Sequence, residues 1–495
     1  MYGPLKKNLT MQLPGSAQRS RGLMLTFALL LASLGISAGM AFYGLAAAPL
    51  ILLAAVALPA AYAIVAYPKA GICILLVLAY VVMFFARFAT SFPVGTVIDG
   101  VEALLLFGFF LRKKGERSWG IFRNGISAVV LVWIGYNLLQ VVNPSAASRL
   151  AWLYTIRTVA IVAITHFVFV YHIRDAAFIR LLFKVWIVLS CVAAAYTFKQ
   201  EFLGFSPFEK AWLSSDVSYT NLYYIGNHWR KFSIFSDPVA LAYNMVVSCI
   251  LCLSLATGPV SQNKKILLIA LAGFFFMAML YSGTRGAFIL LPAAFLMLGV
   301  LKFNRKVLIV GIIAAVVLAG VILMPTSNAT LYRFQTAFKP AKDASYSIRA
   351  YNQTRIQPFI LSHPMGGGLG ATGVWGQRFS TGSMLAAFPP DSGYVRVAVE
   401  LGWVGLLLLC TFMFVVLKSG IRAYFQIKNP ALKSYCLAAV LIVFTLNIGN
   451  YPQEALVQYP ANIYFYLAIA LIPVTLRLDR QLAAQSLQNT PTHGA

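Results

Sequence analysis

The sequence predicts an all-α polytopic membrane protein of about 12–14 transmembrane helices, interrupted by one long loop that contains short helices. Three observations predict it. Of the 495 residues, 60% are hydrophobic and only 11% charged, and the mean hydropathy is +0.79. A soluble domain carries roughly 25% charged residues. Apolar runs long enough to cross a membrane recur almost from end to end. Finally, the basic residues gather in alternate loops, as the positive-inside rule requires.

Taken in order, the runs lie near 23–42, 46–66, 70–87, 97–111, 125–142, 151–171, 179–198, 237–257, 265–281, 286–301, 307–324, 391–417, 434–449 and 460–476. A hydrocarbon core about 30 Å thick needs roughly 20 residues of helix, and several of these runs are short for that. Lys6, Lys7, Arg19 and Arg21 precede the first run, and a second follows directly, so the first reads as an uncleaved helix rather than a signal peptide. With a cytoplasmic N-terminus, Lys69, Arg112-Lys113-Lys114 with Arg117 and Arg123, Arg174 and Arg180 all fall inside. So do Lys264-Lys265, Lys302, Arg305-Lys306, Lys418, Arg422, Lys428, Lys433, Arg477 and Arg480.

This topology divides the chain into N-terminal membrane helices (1–200), an aromatic-rich outer loop (201–236), further helices (237–324), a large outer loop (325–390), C-terminal helices (391–480) and a disordered inner tail (481–495). The first loop holds Phe202, Phe205, Phe208, Trp212, Tyr219, Tyr223, Tyr224, His228 and Trp229. Aromatics at that density suit a membrane interface and also suit stacking on sugar rings. The second is long enough for a small subdomain; a helix is expected over Ser345 to Leu361, followed by the Gly-rich turn His363-Pro364-Met365-Gly366-Gly367-Gly368-Leu369-Gly370.

The net charge of +26 is explained by these loops. It is scattered over short connections, which argues against nucleic-acid binding. The cysteines Cys73, Cys191, Cys249, Cys252, Cys410 and Cys436 all fall in or at apolar runs, so neither disulfides nor a zinc site is expected. With 13 acidic residues, a carboxylate-rich metal site is hard to assemble, and no cofactor is implied.

Polar chemistry gathers at the outer ends of the helices. Tyr281-Ser282-Gly283-Thr284-Arg285-Gly286-Ala287-Phe288 is a short polar knot between two apolar runs. An arginine at a membrane edge either snorkels or faces a polar cavity, and its fork of donors suits phosphate oxygens. Arg230-Lys231 leads to Asp237-Pro238, which reads as a helix start with Asp237 as cap. Arg349 and Arg355 lie on the loop helix, six residues apart and therefore on different faces, with His363 just beyond. Asp391 can cap the helix that follows it, and Arg396 and Glu400 have the i, i+4 spacing of an ion pair. Several arginines with one or two carboxylates fit a pyrophosphate site with a carboxylate base.

Together the stretches Arg230 to Pro238, Ser282 to Ala287, His363 to Gly370 and Asp391-Ser392-Gly393-Tyr394 through Glu400-Leu401-Gly402-Trp403-Val404-Gly405 resemble the O-antigen ligase and Wzy-type polymerase superfamily of bacterial envelope enzymes. The resemblance covers about residues 230–405. It implies a GT-C-like, metal-independent glycosyltransferase of the inner membrane, acting at the periplasmic face on an undecaprenyl-pyrophosphate-linked glycan. It implies that Arg230 and Arg285 hold the pyrophosphate, with Arg349, Arg355 and His363 as further substrate-binding candidates. Ligases of this kind, and the related protein O-oligosaccharyltransferases, carry His-Asn where this chain has Asp391-Ser392. That departure favours a polymerase, with Asp391 as base and Arg285 as its catalytic partner. A ligase is the alternative, and a lipid-linked-sugar flippase the second. A chain-length regulator or other polysaccharide assembly proteins would be candidate partners.

Overall fold

A computed structural model describes residues 48–88, 95–113, 119–225, 228–303, 305–327, 329–336, 338 and 344–488, with isolated positions between 27 and 44. Most of the expected first span, together with Lys114, Arg117 and Lys342, lies outside the described residues. The chain forms two compact units, residues 1–63 and 64–495.

The helices are α1 (Ala48–Ala66), α2 (Pro68–Ala86), α3 (Gly95–Lys113), α4 (Gly125–Leu139), α5 (Arg149–His172) and α6 (Ala176–Phe202). Next come α7 (Pro207–Ser214), α8 (Val217–Tyr223), α9 (Pro238–Ala256), α10 (Gln262–Tyr281), the single turn α11 (Arg285–Phe288), α12 (Leu290–Leu301) and α13 (Arg305–Leu323). The long loop carries α14 (Ala329–Thr336), α15 (Ala344–Ser362) and α16 (Gly373–Phe379), and α17 (Gly393–Gln426), α18 (Pro430–Gly449) and α19 (Ala461–Gln488) complete the chain. Among the described residues, nine helices are long and apolar enough to cross a membrane. The chain is therefore an all-α polytopic membrane protein. The expected run 97–111 is helical as α3 but carries Asp99, Glu102, Arg112 and Lys113.

Helix starts follow local chemistry. Asp237 caps α9 by accepting from the Val239 and Ala240 amides, with Pro238 at the first position, as the Asp-Pro pair predicts. Asn124, Asp175 and Asn429 cap α4, α6 and α18 in the same way. The last helix departs from expectation, running on to Gln488 where a disordered tail was expected from 481. Gln481 to Leu487 contains no Gly or Pro, so nothing stops the helix there.

Three helices make the centre of the bundle. About 83% of the spanning window is buried in both α9 and α19 and 72% in α18, against 22% in α10. Gly420 of α17 admits this close packing, since a Cβ there would stand 2.7 Å from Val440 and 3.2 Å from Ile472.

The aromatic loop is neither a bare interface nor an open stacking surface. Leu213, Tyr223 and Phe232 form a small core with Phe205, Trp212, Tyr219 and Trp229 packed on it. The Arg87 guanidinium lies over Phe232 (4.4 Å) and Trp212 (5.1 Å) and donates to the Ser233 and Phe235 carbonyls. Rings that sequence alone assigns to lipid or sugar are thus mostly spent on one another.

Candidate active site

The polar knot between α10 and α11 is a tight turn fixed from below. Gly283 sits at φ +60°, which glycine adopts without strain. Thr284 Oγ1 donates to the Pro238 carbonyl (3.0 Å) and accepts from Arg230 Nη2 (2.9 Å). Arg230 also donates from Nε to the Ser282 carbonyl (3.0 Å) and from Nη1 to the Leu222 carbonyl (3.2 Å). At 7% exposure, this guanidinium ties the aromatic loop to the turn. These contacts brace the turn that leads into α11, where half-buried Arg285 takes the first position. Beside it Gly286 abuts the segment 450–460; a Cβ there would stand 3.2 Å from Pro452.

The Gly-rich turn is a packing knot. The long helix α17 is broken at Gly402, where φ is 72° and ψ −177°. The turn plugs this break: Gly367 and Gly368 amides donate to the Val399 and Glu400 carbonyls (both 2.9 Å), and the Val404 amide to the Pro364 carbonyl (3.3 Å). A Cβ on Gly366 would lie 2.4 Å from the Gly402 nitrogen, so only glycine allows the two backbones to meet. The Glu400 carboxylate, 2% exposed, accepts from the Gly370 amide (3.0 Å), the Thr372 amide (3.3 Å) and Thr372 Oγ1 (2.5 Å). Arg396 bridges Glu400 (3.2 Å) to Glu454 (2.6 Å), so the ion pair expected from spacing is present and extends to a second acid.

Asp391 lies at the edge of this network. Sequence reading made it a helix cap, but the structure gives that role to Ser392, whose hydroxyl accepts from the Val395 amide. Two adjacent capping residue types compete here, and the one in register with the first turn wins. The Asp391 carboxylate is left half-buried. Burial raises its pKa above the ordinary aspartate value, opposed by the positive charge of Arg349. Glu454 is likewise raised by burial; Arg396 opposes the shift, while the Glu400 and Asp391 charges add to it. Asp391 and Glu454 therefore share one electrostatic environment. The Arg349 charge also reaches Tyr243, whose hydroxyl donates to the Gly449 carbonyl (2.9 Å) and lies beside Gly286. The Gly393 amide donates to the Asn450 carbonyl (2.9 Å), which fastens the start of α17 to the 450–460 segment. A cavity of about 60 Å³ between Gly393, Arg396, Glu454, Thr158 and Phe412 has room for water but not for a sugar.

The Arg349 charge thus acts on both Asp391 and Tyr243, and the Tyr243 hydroxyl lies beside Gly286, the residue that follows Arg285. Arg230 braces the turn that precedes Arg285. Arg355 is exposed on α15. His363 stacks on Phe359 (centroids 4.1 Å apart), with Nδ1 3.1 Å from the Phe359 carbonyl and 2.9 Å from Ser362 Oγ. Sequence reading missed Glu454, Asn450, Tyr243 and Thr284. For Glu454 one signal was present: it is the sole carboxylate between the last two apolar runs. Among the described residues, no group of three His, Cys, Asp or Glu side chains could hold a metal ion.

Fold and site together define a polytopic membrane protein that concentrates arginines and carboxylates at one end of its helical bundle. Residues 268–410 match the family model described as O-antigen ligase, a span that includes the 282–287 turn, the Gly-rich turn and the start of α17. This match bears out the resemblance to the O-antigen ligase and Wzy-type polymerase superfamily, whose members are membrane enzymes that transfer glycans. No curated protein matches the chain.

Proposed function

We propose that the protein is a polymerase of a bacterial surface polysaccharide, an O-antigen or exopolysaccharide, working without a metal at the periplasmic face of the inner membrane. It transfers a growing glycan from undecaprenyl pyrophosphate to the terminal sugar of an incoming lipid-linked repeat unit. The observation that carries this reading is Asp391: a carboxylate released from capping by Ser392, with its pKa raised by burial and with Arg349 within electrostatic reach. The acceptor hydroxyl attacks the anomeric carbon of the donor and gives its proton to Asp391. The bond from that carbon to the phosphate oxygen breaks, and undecaprenyl pyrophosphate leaves with the electron pair. Arg285 and Arg349 stabilise the charge that grows on the leaving group. Arg230 acts through the turn that it braces.

The ligase reading is favoured by one observation, the description of the matching family. The two part on acceptor. Membranes supplied with lipid-linked repeat units alone make long chains if the protein is a polymerase. A ligase makes none until lipid A-core, or a protein acceptor, is added.

The same assay tests the site. Arg285→Ala should lower chain growth on the order of a hundredfold to a thousandfold, and Arg285→Lys should restore little, because the fork geometry is lost. Asp391→Asn should lower turnover while donor binding stays near wild type. Full-length chains from Arg285→Ala would remove it from the mechanism. Unchanged turnover in Asp391→Asn would do the same for the base.

A further inference from the structure

At the far end of the bundle from Arg285, a cavity of about 380 Å³ opens between the α9–α10 connection, the end of α12, the end of α17 and the start of α18. We propose that it is a binding site for a phosphate group, carried by the headgroup of an anionic phospholipid.

Two half-buried ammonium groups from separate helices line the cavity, Lys302 at the end of α12 and Lys433 in the first turn of α18. Lys302 Nζ spends one donor on the Thr257 carbonyl (3.1 Å) and keeps two. Lys433 Nζ stands 4.9 Å from the centre of the Tyr424 ring. Neither lysine has an ion-pair partner among the described residues. Among the described acids at this end, Asp479 is occupied, its two oxygens accepting from the Lys428 and Asn429 amides at 3.1 and 2.8 Å, and Asp175 pairs with Lys69 at 2.7 Å. Burial, and then the charges of Lys265 and Lys433, depress the Lys302 pKa, so the pair repel each other as they stand. An anion between them removes that cost.

The wall is shaped for a guest. Gly258 faces Ser434, where a Cβ would meet Oγ at 2.7 Å, so any side chain there would crowd this wall. Phe303 and Phe425, both on the lining, are 80% and 62% exposed at helix ends, the level at which aromatic side chains meet headgroups. A mouth at that level favours a lipid over a soluble anion, and basic pockets between spanning helices are suited to lipid phosphates. Ordinary positive-inside lysines are solvated singly, as exposed Lys264 and Lys418 are here. Two that converge on one cavity need a further reason.

The test uses the full chain in zwitterionic micelles, titrated with phosphatidylglycerol or phosphatidylcholine and followed by native mass spectrometry. Wild type should prefer phosphatidylglycerol. Lys302→Gln and Lys433→Gln should each weaken that binding about fivefold, and the pair about 25-fold. Lys302→Arg should retain it. The charge-matched pair Lys264→Gln/Lys418→Gln should change it less than about twofold. Competition by millimolar inorganic phosphate, beyond an equal ionic strength of chloride, identifies the free anion as the ligand. Its failure to compete identifies the lipid headgroup. Equal loss in the charge-matched pair, or no preference for phosphatidylglycerol, overturns the proposal. If the double variant does not elute as a single species, the two single variants and the arginine variant decide.

Discussion

Glu400→Gln separates a structural anchor from the chemistry that it supports. The wild-type carboxylate is 2% exposed and accepts four hydrogen bonds, from the Gly370 amide, the Thr372 amide and hydroxyl, and Arg396 Nε. Glutamine keeps the shape but turns one acceptor into a donor. With its oxygen toward Thr372 and Arg396, its NH2 group faces the Gly370 amide, so that bond becomes a donor–donor clash. The bond to Arg396 also loses its ionic character. At ~1.5–3 kcal/mol for each hydrogen bond to a charged group, the expected cost is about 2–4 kcal/mol. It is held below the cost of fully breaking a buried pair because Arg396 keeps Glu454 at 2.6 Å. The loss falls on the loop around Ala371, Leu385 and Phe388, whose small core depends on this anchor. Exposed Arg378 reports it. Trypsin should cut after Arg378 at least about thirtyfold faster in the variant, since local opening becomes easier by ~2 kcal/mol or more. Thr372→Val, which loses the hydroxyl alone, should fall between. Wild-type cleavage at Arg378 together with an unshifted thermal transition would refute Glu400 as the anchor.

The remaining predictions concern charge and orientation. Asp391 must be ionised to accept a proton, and burial raises its pKa while Arg349 opposes the rise. The acid limb of the rate profile should therefore lie above the ordinary aspartate range. Arg349→Gln should move it to still higher pH, whereas an unmoved limb in a pH–rate series would mean that another group titrates. Reporter fusions at Gly382 and Lys428 should report opposite sides of the membrane, periplasmic and cytoplasmic respectively. The same side for both would overturn the orientation.

Much of this arrangement is legible in the sequence, and the rest is not for identifiable reasons. Hydropathy marks the spans because lipid forces every spanning backbone to satisfy itself within a helix. The Asp237 cap and the Arg396–Glu400 pair are local, decided within one turn of helix, and so can be read from spacing. The type of Arg230 is equally visible, but its direction is not. Nothing in the chain says that its fork is taken by the carbonyls of Leu222 and Ser282. The Gly-rich turn reads as a turn, but its reason lies in the break at Gly402, which sequence shows only as a glycine within an apolar run. Glu454 is harder still, being joined to Arg396 across 58 residues.

These long-range contacts explain why the site needs the whole C-terminal half. Arg285 stands on a turn braced by Arg230, while Asp391 stands on a helix start tied to Asn450. Both pieces meet the 450–460 segment, which packs Pro452 against Gly286 and presents the Asn450 carbonyl to Gly393. The segment hangs between α18 and α19, two of the three most buried helices, so its position is set by the rigid centre of the bundle. Arg285 and Asp391 are thus each carried on short, locally braced pieces, and both pieces meet a third. Charged groups braced in this way are held more precisely than loops alone would hold them.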